Sequence, residues 1–296
     1  MRDFEYEAPT SLGAALAVLA KGNARALAGG TDLIDQVRLG RHSPDVIVDV
    51  KKLPELNGIQ HDTSGLRLGA AVPLYKVYGH CGICSDYSAL ADSARIIGGI
   101  QIQSRASIGG NICNAGPAAD STPSVIALGG VCVIAGPNGT REVPAEAFCV
   151  GPGKSVLQAG EILVEIKFPA RVAHSGSHYR RFIPRNEMDI AVVGVGASVV
   201  LADCRQKFVS ARLALGAVGP TPILAQAAGD SLAGQPVNEV TIAKAGELAR
   251  SVAKPIDDMR GTAEYRLHLV GVLTQRVLNA AVARARGEKI DNVPGH

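Results

Sequence analysis

Tryptophan is absent from this 296-residue chain, and aromatic residues make up only 4% of it. Surfaces that stack nucleobases are built on aromatic platforms, and with 5 Phe and 6 Tyr the chain has few to offer. An excess of one charge is missing too: 30 Lys and Arg stand against 27 Asp and Glu, a formal net of +3. Apart from Arg180-Arg181, Arg185 and the tail residues Arg284, Arg286 and Lys289, the basic residues are scattered. No nucleic-acid partner is expected from such a pattern. The longest apolar run, Ile190 to Ala202, is interrupted by glycines and too short for a bilayer span. The opening Met1-Arg2-Asp3-Phe4-Glu5 holds no apolar leader segment, so the cytoplasm is the expected compartment.

Several familiar fingerprints are also missing. No G-x-G-x-x-G follows a strand, and Gly151-Pro152-Gly153-Lys154-Ser155 has Phe148 where a phosphate loop needs its leading glycine. Gly194-Val195-Gly196 lies inside an apolar run and reads as strand glycines. Cysteines stand at 81, 84, 113, 132, 149 and 204, with one C-x-x-C, Cys81-Gly82-Ile83-Cys84. An iron–sulfur cluster takes about four thiolates, and there is no second C-x-x-C, so no metal site is expected. Cys132 and Cys149 read as buried or half-buried reduced thiols. His42, His61 and His80 are isolated, and no acid/base pair stands out. No catalytic residue is assigned.

The chain does have two glycine pairs about eighty residues apart, Ala28-Gly29-Gly30-Thr31-Asp32 and Ser107-Ile108-Gly109-Gly110-Asn111. Glycine permits close backbone approach and φ > 0, so that N–H groups can converge on an anion. Two such loops rimmed by hydroxyl and amide side chains suit a diphosphate held from both sides. A dinucleotide-sized ligand bound by a non-Rossmann route is the expectation.

Hydrophobic content of 47% supports a sizeable core at this length. Residues 11–21 read as a helix with Thr10 as N-cap and Gly22 as stop. A strand over 24–28 enters the first glycine loop, 32–39 returns as a helix, and Val46-Ile47-Val48-Asp49-Val50 is a strand. The first pair therefore falls at a helix N-terminus, where N–H groups favour phosphate. Strands are expected over 66–70 and 161–168, a hairpin around Pro137-Asn138-Gly139, and helices over 87–97 and 122–128. Residues 170–178 mark a boundary. Beyond it, strands over 179–183, 190–202 and 209–218 precede helices near 222–229, 240–252 and 262–287, an α+β pattern. The last helix carries Leu269, Val272, Leu273, Val277, Ala280 and Ala281 as a packing stripe.

Taken in order, the motifs resemble a known family. Leu27 to Leu33, Ser107 to Asn111, Asn114 to Asp120, Gly151 to Lys154, Glu161 to Leu163, Met188 to Ala191 and Arg260 to Arg266 are similar to segments of the FAD-binding medium chains of molybdenum hydroxylases. The resemblance implies an α+β chain. A PCMH-type, non-Rossmann FAD-binding region over 1–170, with subdomains 1–58 and 59–170, precedes an antiparallel sheet and helix domain over 171–296. It implies that Ala28, Gly29, Gly30, Thr31 and Asp32, with Ser107, Ile108, Gly109, Gly110 and Asn111, wrap the FAD diphosphate. Asp120 accepts hydrogen bonds from the ligand, or else caps the helix that follows. Ile97 and Leu163 give apolar contacts to the flavin or adenine rings, or are plain core. Ile190 lies against the isoalloxazine. Arg181 stands where relatives carry Lys near the flavin's pyrimidine edge, or is a surface arginine. Molybdopterin belongs on a large partner and [2Fe-2S] clusters on a small one, in a heterotrimer that doubles. This chain passes their electrons to NAD⁺, a quinone or another acceptor. The alternatives are a free-standing FAD-dependent oxidoreductase of the same fold, or a nucleotide-binding module without flavin.

Overall fold

A computed structural model describes residues 2–185 and 188–290. The chain opens with β1 (Glu5–Glu7), α1 (Leu12–Leu19), β2 (Ala24–Leu27), α2 (Leu33–Arg38) and β3 (Val46–Asp49). β3 opens on the apolar run Val46-Ile47-Val48, and it takes the centre of a parallel sheet ordered β1-β3-β2, as strands covered on both faces do. α1 lays Ala15, Val18 and Leu19 against Val48 and Val50. Its N-cap is Ser11 rather than Thr10. The Ser11 backbone is extended, and its Oγ accepts from the Ala14 N–H at 3.4 Å. α3 (Pro54–Asn57) starts on a proline, whose missing N–H costs nothing at a first turn.

Next come β4 (Ile59–Asp62), β5 (Gly65–Gly69) and the helices α4 (Leu74–Gly79), α5 (Cys81–Asp86), α6 (Ser88–Ile96), α7 (Ile100–Gln103), α8 (Ile108–Cys113) and α9 (Ser121–Ala127). β6 (Val131–Gly136), β7 (Gly139–Pro144), α10 (Ala145–Phe148), β8 (Cys149–Gly151), β9 (Lys154–Ser155) and β10 (Ile162–Pro169) follow. The second sheet is antiparallel and ordered β4-β5-β10-β6-β7. Its register sets Ile166 opposite both Leu68 and Cys132, and Phe168 opposite Leu66. These residues form the core on which the helices pack. The glycine–proline segment that resembled a phosphate loop is the β8–β9 turn. There Gly153 has φ +67, and its N–H donates to the Ala115 carbonyl at 3.0 Å.

The last sheet is antiparallel: β11 (Ser175–Phe182), β12 (Val193–Leu201), β13 (Phe208–Gly216) and the short β14 (Ile223–Leu224). α11 (Gln226–Asp230), α12 (Glu239–Val252) and α13 (Ala263–Ala285) follow. The helix expected near 222–229 is therefore a two-residue strand and one helical turn, because Ile223 pairs with Leu215 of β13. α13 buries Leu269, Leu273, Val277 and Ala281 against one face of the sheet. α9 sits on the other face, and strand glycines make this possible. A Cβ at Gly196 would lie 2.8 Å from the Pro123 carbonyl oxygen, and one at Gly216 would lie 3.0 Å from the Pro123 ring. An ion pair also joins the parts: Arg284 of α13 grips Asp92 of α6 with two N–H groups at 2.6 and 3.0 Å. Among the described residues no helix is long and apolar enough to cross a membrane.

Candidate cofactor site

The first glycine loop touches the chain that leads into the second pair. A Cβ at Gly29 would lie 2.2 Å from the Arg105 carbonyl oxygen, so glycine alone fits where the first loop touches the chain entering the second. The Arg105 Nε returns a hydrogen bond to the Gly29 carbonyl at 3.2 Å. Gln36 of α2 donates to the Asn114 side chain at the end of α8, 2.9 Å away. Gly30 has φ +77 and turns the chain from β2 into α2. The first loop also leaves the carboxyl end of a parallel strand, where ligands of open α/β sheets bind.

The second pair is helical, not a loop. Ser107, only 2% exposed, caps α8 by accepting from the Gly110 N–H at 3.0 Å. Gly109 is required by contact, since a Cβ there would meet the Ala70 carbonyl oxygen at 2.3 Å. Gly110 instead faces outward, with only the Ser107 Oγ near its missing Cβ, at 3.1 Å.

Among the described residues, no acceptor is in hydrogen-bonding range of the N–H groups of Gly29, Gly30, Thr31 and Asp32, nor of Ile108 and Gly109. Asp32 is exposed, but Gly29, Gly30 and Thr31 are half-buried and Ile108 and Gly109 buried, and backbone donors so placed are costly unless water or a ligand answers them. Phosphate oxygens are the acceptors that such converging amides fit. The donor set therefore suits the diphosphate of FAD. Asp32 opens α2 without capping it, and desolvation, then the neighbouring Asp35, push its carboxyl up.

Lys51, not singled out in the sequence, stands beside the first loop. Its Nζ donates to the Ala28 carbonyl at 3.3 Å and to Asp49 at 2.7 Å. Burial pushes the Asp49 carboxyl up, but hydrogen bonds from Lys51 and Tyr6 outweigh it and hold the group below the usual carboxylate range. The signal was a lysine just past the carboxyl end of the central parallel strand.

Asp120 occupies the N-cap position of α9, yet its side chain makes no capping bond. Asn111 of α8 caps in its place, its Oδ1 accepting from the Ser121 N–H at 3.3 Å and the Ser121 hydroxyl at 2.6 Å. The Asp120 carboxylate accepts instead from the Tyr179 hydroxyl at 2.9 Å and from Arg181 at 2.5 Å. Burial pushes Asp120 up to about 6, against the pull of Arg181 and Tyr179. Arg181 is no surface arginine: its side chain is 5% exposed. Ile97, directly after α6, is half-buried, and Ile190 is 49% exposed. Leu163 is packed among Ile134, Ile166 and their neighbours in the second core.

The cysteines lie apart from this arrangement in their chemistry. All six are free thiols. Cys84 donates to the Tyr78 carbonyl at 3.1 Å, and Cys81 is exposed. Burial pushes the Cys132 thiol up to about 12 and that of Cys149 to about 11. Among the described residues no group of three or more His, Cys, Asp and Glu is placed to hold a metal ion.

Comparison with known proteins places the chain in a family. The family model for the FAD binding domain in molybdopterin dehydrogenase matches residues 2–171, and that for the CO dehydrogenase flavoprotein C-terminal domain matches 178–281. The carbon monoxide dehydrogenase medium chain of Hydrogenophaga pseudoflava is 32% identical over 283 residues, 95% of this chain and 98% of the relative. The xanthine dehydrogenase FAD-binding subunit of Escherichia coli O157:H7 is 35% identical over 292 residues, 97% and 99% of the two chains. In the solved structure of carbon monoxide dehydrogenase from Hydrogenophaga pseudoflava, one chain superposes with a TM-score of 0.91 at 32% identity, covering 96% of this chain and 98% of that one. The chain belongs to the FAD-binding flavoprotein family of molybdenum-dependent dehydrogenases.

Proposed function

We propose that this chain is the electron-transfer flavoprotein subunit of a heterotrimeric molybdenum hydroxylase. It relays electrons from the [2Fe-2S] clusters of a small partner subunit to an external acceptor, while a large molybdopterin-binding subunit oxidises the substrate. The complex doubles into a dimer of heterotrimers. The observation that carries the reading is the contact of the first glycine loop with the chain entering α8, with six N–H groups of the two glycine elements (Gly29 to Asp32, Ile108 and Gly109) left without acceptors, in a chain of this family.

FAD, when bound, supplies the redox chemistry. The chain's part is to bind and orient it. Within Ala28 to Asp32 and Ser107 to Asn111, the N–H groups of Gly29 to Asp32, Ile108 and Gly109 are free to meet the diphosphate, and Lys51, paired with Asp49, stands beside the first loop. Ile97 and Ile190 offer apolar surface to the ring system. No acid or base is assigned, because outer-sphere electron transfer moves no proton at a protein atom.

The test is direct. The purified chain should show flavin absorption and release FAD on heating, and its flavin should bleach when the reduced iron–sulfur partner is added. A chain with no flavin bands and no uptake of added FAD refutes the reading. A flavin-loaded chain that takes no electrons from the partner refutes the relay.

A further inference from the structure

Arg181 makes contacts that a flavin ligand does not need. One guanidinium nitrogen donates to Asp120 at 2.5 Å and to the Asp189 carbonyl at 3.3 Å, and the other donates to the Ile96 carbonyl at 2.8 Å. These acceptors lie on three separate stretches: the N-cap of α9, the approach to β12 and the end of α6. Two of them are the carbonyls immediately before Ile190 and Ile97. Tyr179, two residues away on the same face of β11, fixes the other Asp120 oxygen through its hydroxyl at 2.9 Å. Room for that hydroxyl comes from Gly194 on β12, where a Cβ would lie 2.5 Å from it.

Resting on the FAD reading, we propose that Arg181 is a positioning residue of the site. Anchored on Asp120, it ties together the two segments that present Ile97 and Ile190 to the ring system, and it does so from inside the protein. The planar fork is what suits it to this task. Its five N–H groups can reach separate acceptors at fixed angles, whereas the compact ammonium of lysine cannot span all three. A charge aimed at the flavin edge would tolerate lysine; a clamp would not.

The experiment uses the full-length chain freed of FAD, as wild type, Arg181→Lys, Asp120→Asn and Tyr179→Phe. Three quantities are read: hydrogen–deuterium exchange of residues 96–99 and 188–191, FAD affinity, and ADP affinity. Arg181→Lys keeps the charge. It should nonetheless speed exchange in both segments and weaken FAD binding by roughly tenfold, the loss of a charge-assisted hydrogen bond. ADP, which needs only the glycine elements, should bind within about twofold of wild type, whereas a general loosening would weaken ADP equally. Asp120→Asn should follow Arg181→Lys. Should either fail to fold, Tyr179→Phe removes a single hydroxyl and should shift the same readings in the same direction by roughly threefold. FAD affinity and exchange both unchanged in Arg181→Lys overturn the clamp, and so does an equal loss of ADP binding. Wild-type chain that binds ADP but not FAD refutes the flavin reading alone, while exchange in the variants still decides whether the clamp exists.

Discussion

Gly110→Ala should make the chain more stable and a poorer FAD binder, and the opposite signs follow from its place in α8. The residue lies in the first turn of that helix with ordinary helical backbone, so alanine fits without strain. Replacing a helical glycine by alanine gains up to about 1 kcal/mol. The new methyl would lie 3.1 Å from the Ser107 Oγ that caps the turn, a tight contact that takes back part of the gain. A net of about 0.5 kcal/mol raises Tm by about 1–2 °C in a chain of this size. The methyl also projects from the exposed side of α8, in the same helical turn as the Ile108 and Gly109 amides left without acceptors. Displacing a phosphate oxygen from one such amide costs about 1.5–3 kcal/mol, or ten- to a hundredfold in Kd. Thermal unfolding of FAD-free chain measures the first effect and flavin fluorescence titration the second. Added FAD should also raise the Tm of the variant less than that of wild type. Unchanged affinity in a stabilised variant would mean that α8 does not face the diphosphate.

Other substitutions probe the joints between parts. Gly29→Ala places a methyl 2.2 Å from a carbonyl oxygen that cannot swing aside; a loss of about 1–3 kcal/mol in urea unfolding is expected, and no loss would mean that the first loop does not touch the chain entering α8. Arg284→Met strands the buried Asp92 carboxylate, whose remaining partners are His178 and the Tyr179 N–H, so it should cost about 3 kcal/mol; a cost below about 1 kcal/mol argues against a buried pair. Asp120 gives a pH signature. Its folded-state pKa of about 6 lies above the usual 3.8, so the folded chain holds this proton more tightly than the unfolded one. The resulting stability, about 3 kcal/mol at most, is fully present below pH ~4 and lost as pH rises to ~6. Urea unfolding of wild type and Asp120→Asn at pH 4 and 7 should show the gap moving against wild type by that order, and a constant gap refutes the shift.

What could be read from the sequence was whatever is settled locally. The apolar run of β3, the hairpin around Asn138-Gly139 and the stripe on α13 follow from periodicity and turn chemistry. The short helices α4, α5 and α7 did not show. With four to six residues each they carry no period, and they hold only because they pack on the second core. Gly109-Gly110 looked like a loop because glycine disfavours helix. Two facts invisible in one sequence override that preference: the Ser107 cap and the Ala70 backbone lying against Gly109. The pairing of Asp120 with Arg181 joins residues 61 positions apart, so Asp120 could be proposed as ligand or cap but not as the anchor of an arginine.

Close approach, more than turning, explains the glycines around the site, and this fixes which parts of the chain build it. Gly29 lets the first loop reach Arg105, and Gly109 lets α8 reach the end of β5. Gly196 and Gly216 let the start of α9 lie on the third sheet. α8 is tied in turn to α9 through Asn111 and Ser121, and α9 to β11 through Asp120, Tyr179 and Arg181. The contacts run without a break from the parallel sheet, through the glycine elements, to the C-terminal sheet. The arrangement draws on the three larger sheets at once, so its geometry depends on how they are docked and not on either glycine element alone. The C-terminal sheet thus takes a direct part: Tyr179 and Arg181, the partners of Asp120, lie on β11, and Ile190 lies on the segment that leads into β12.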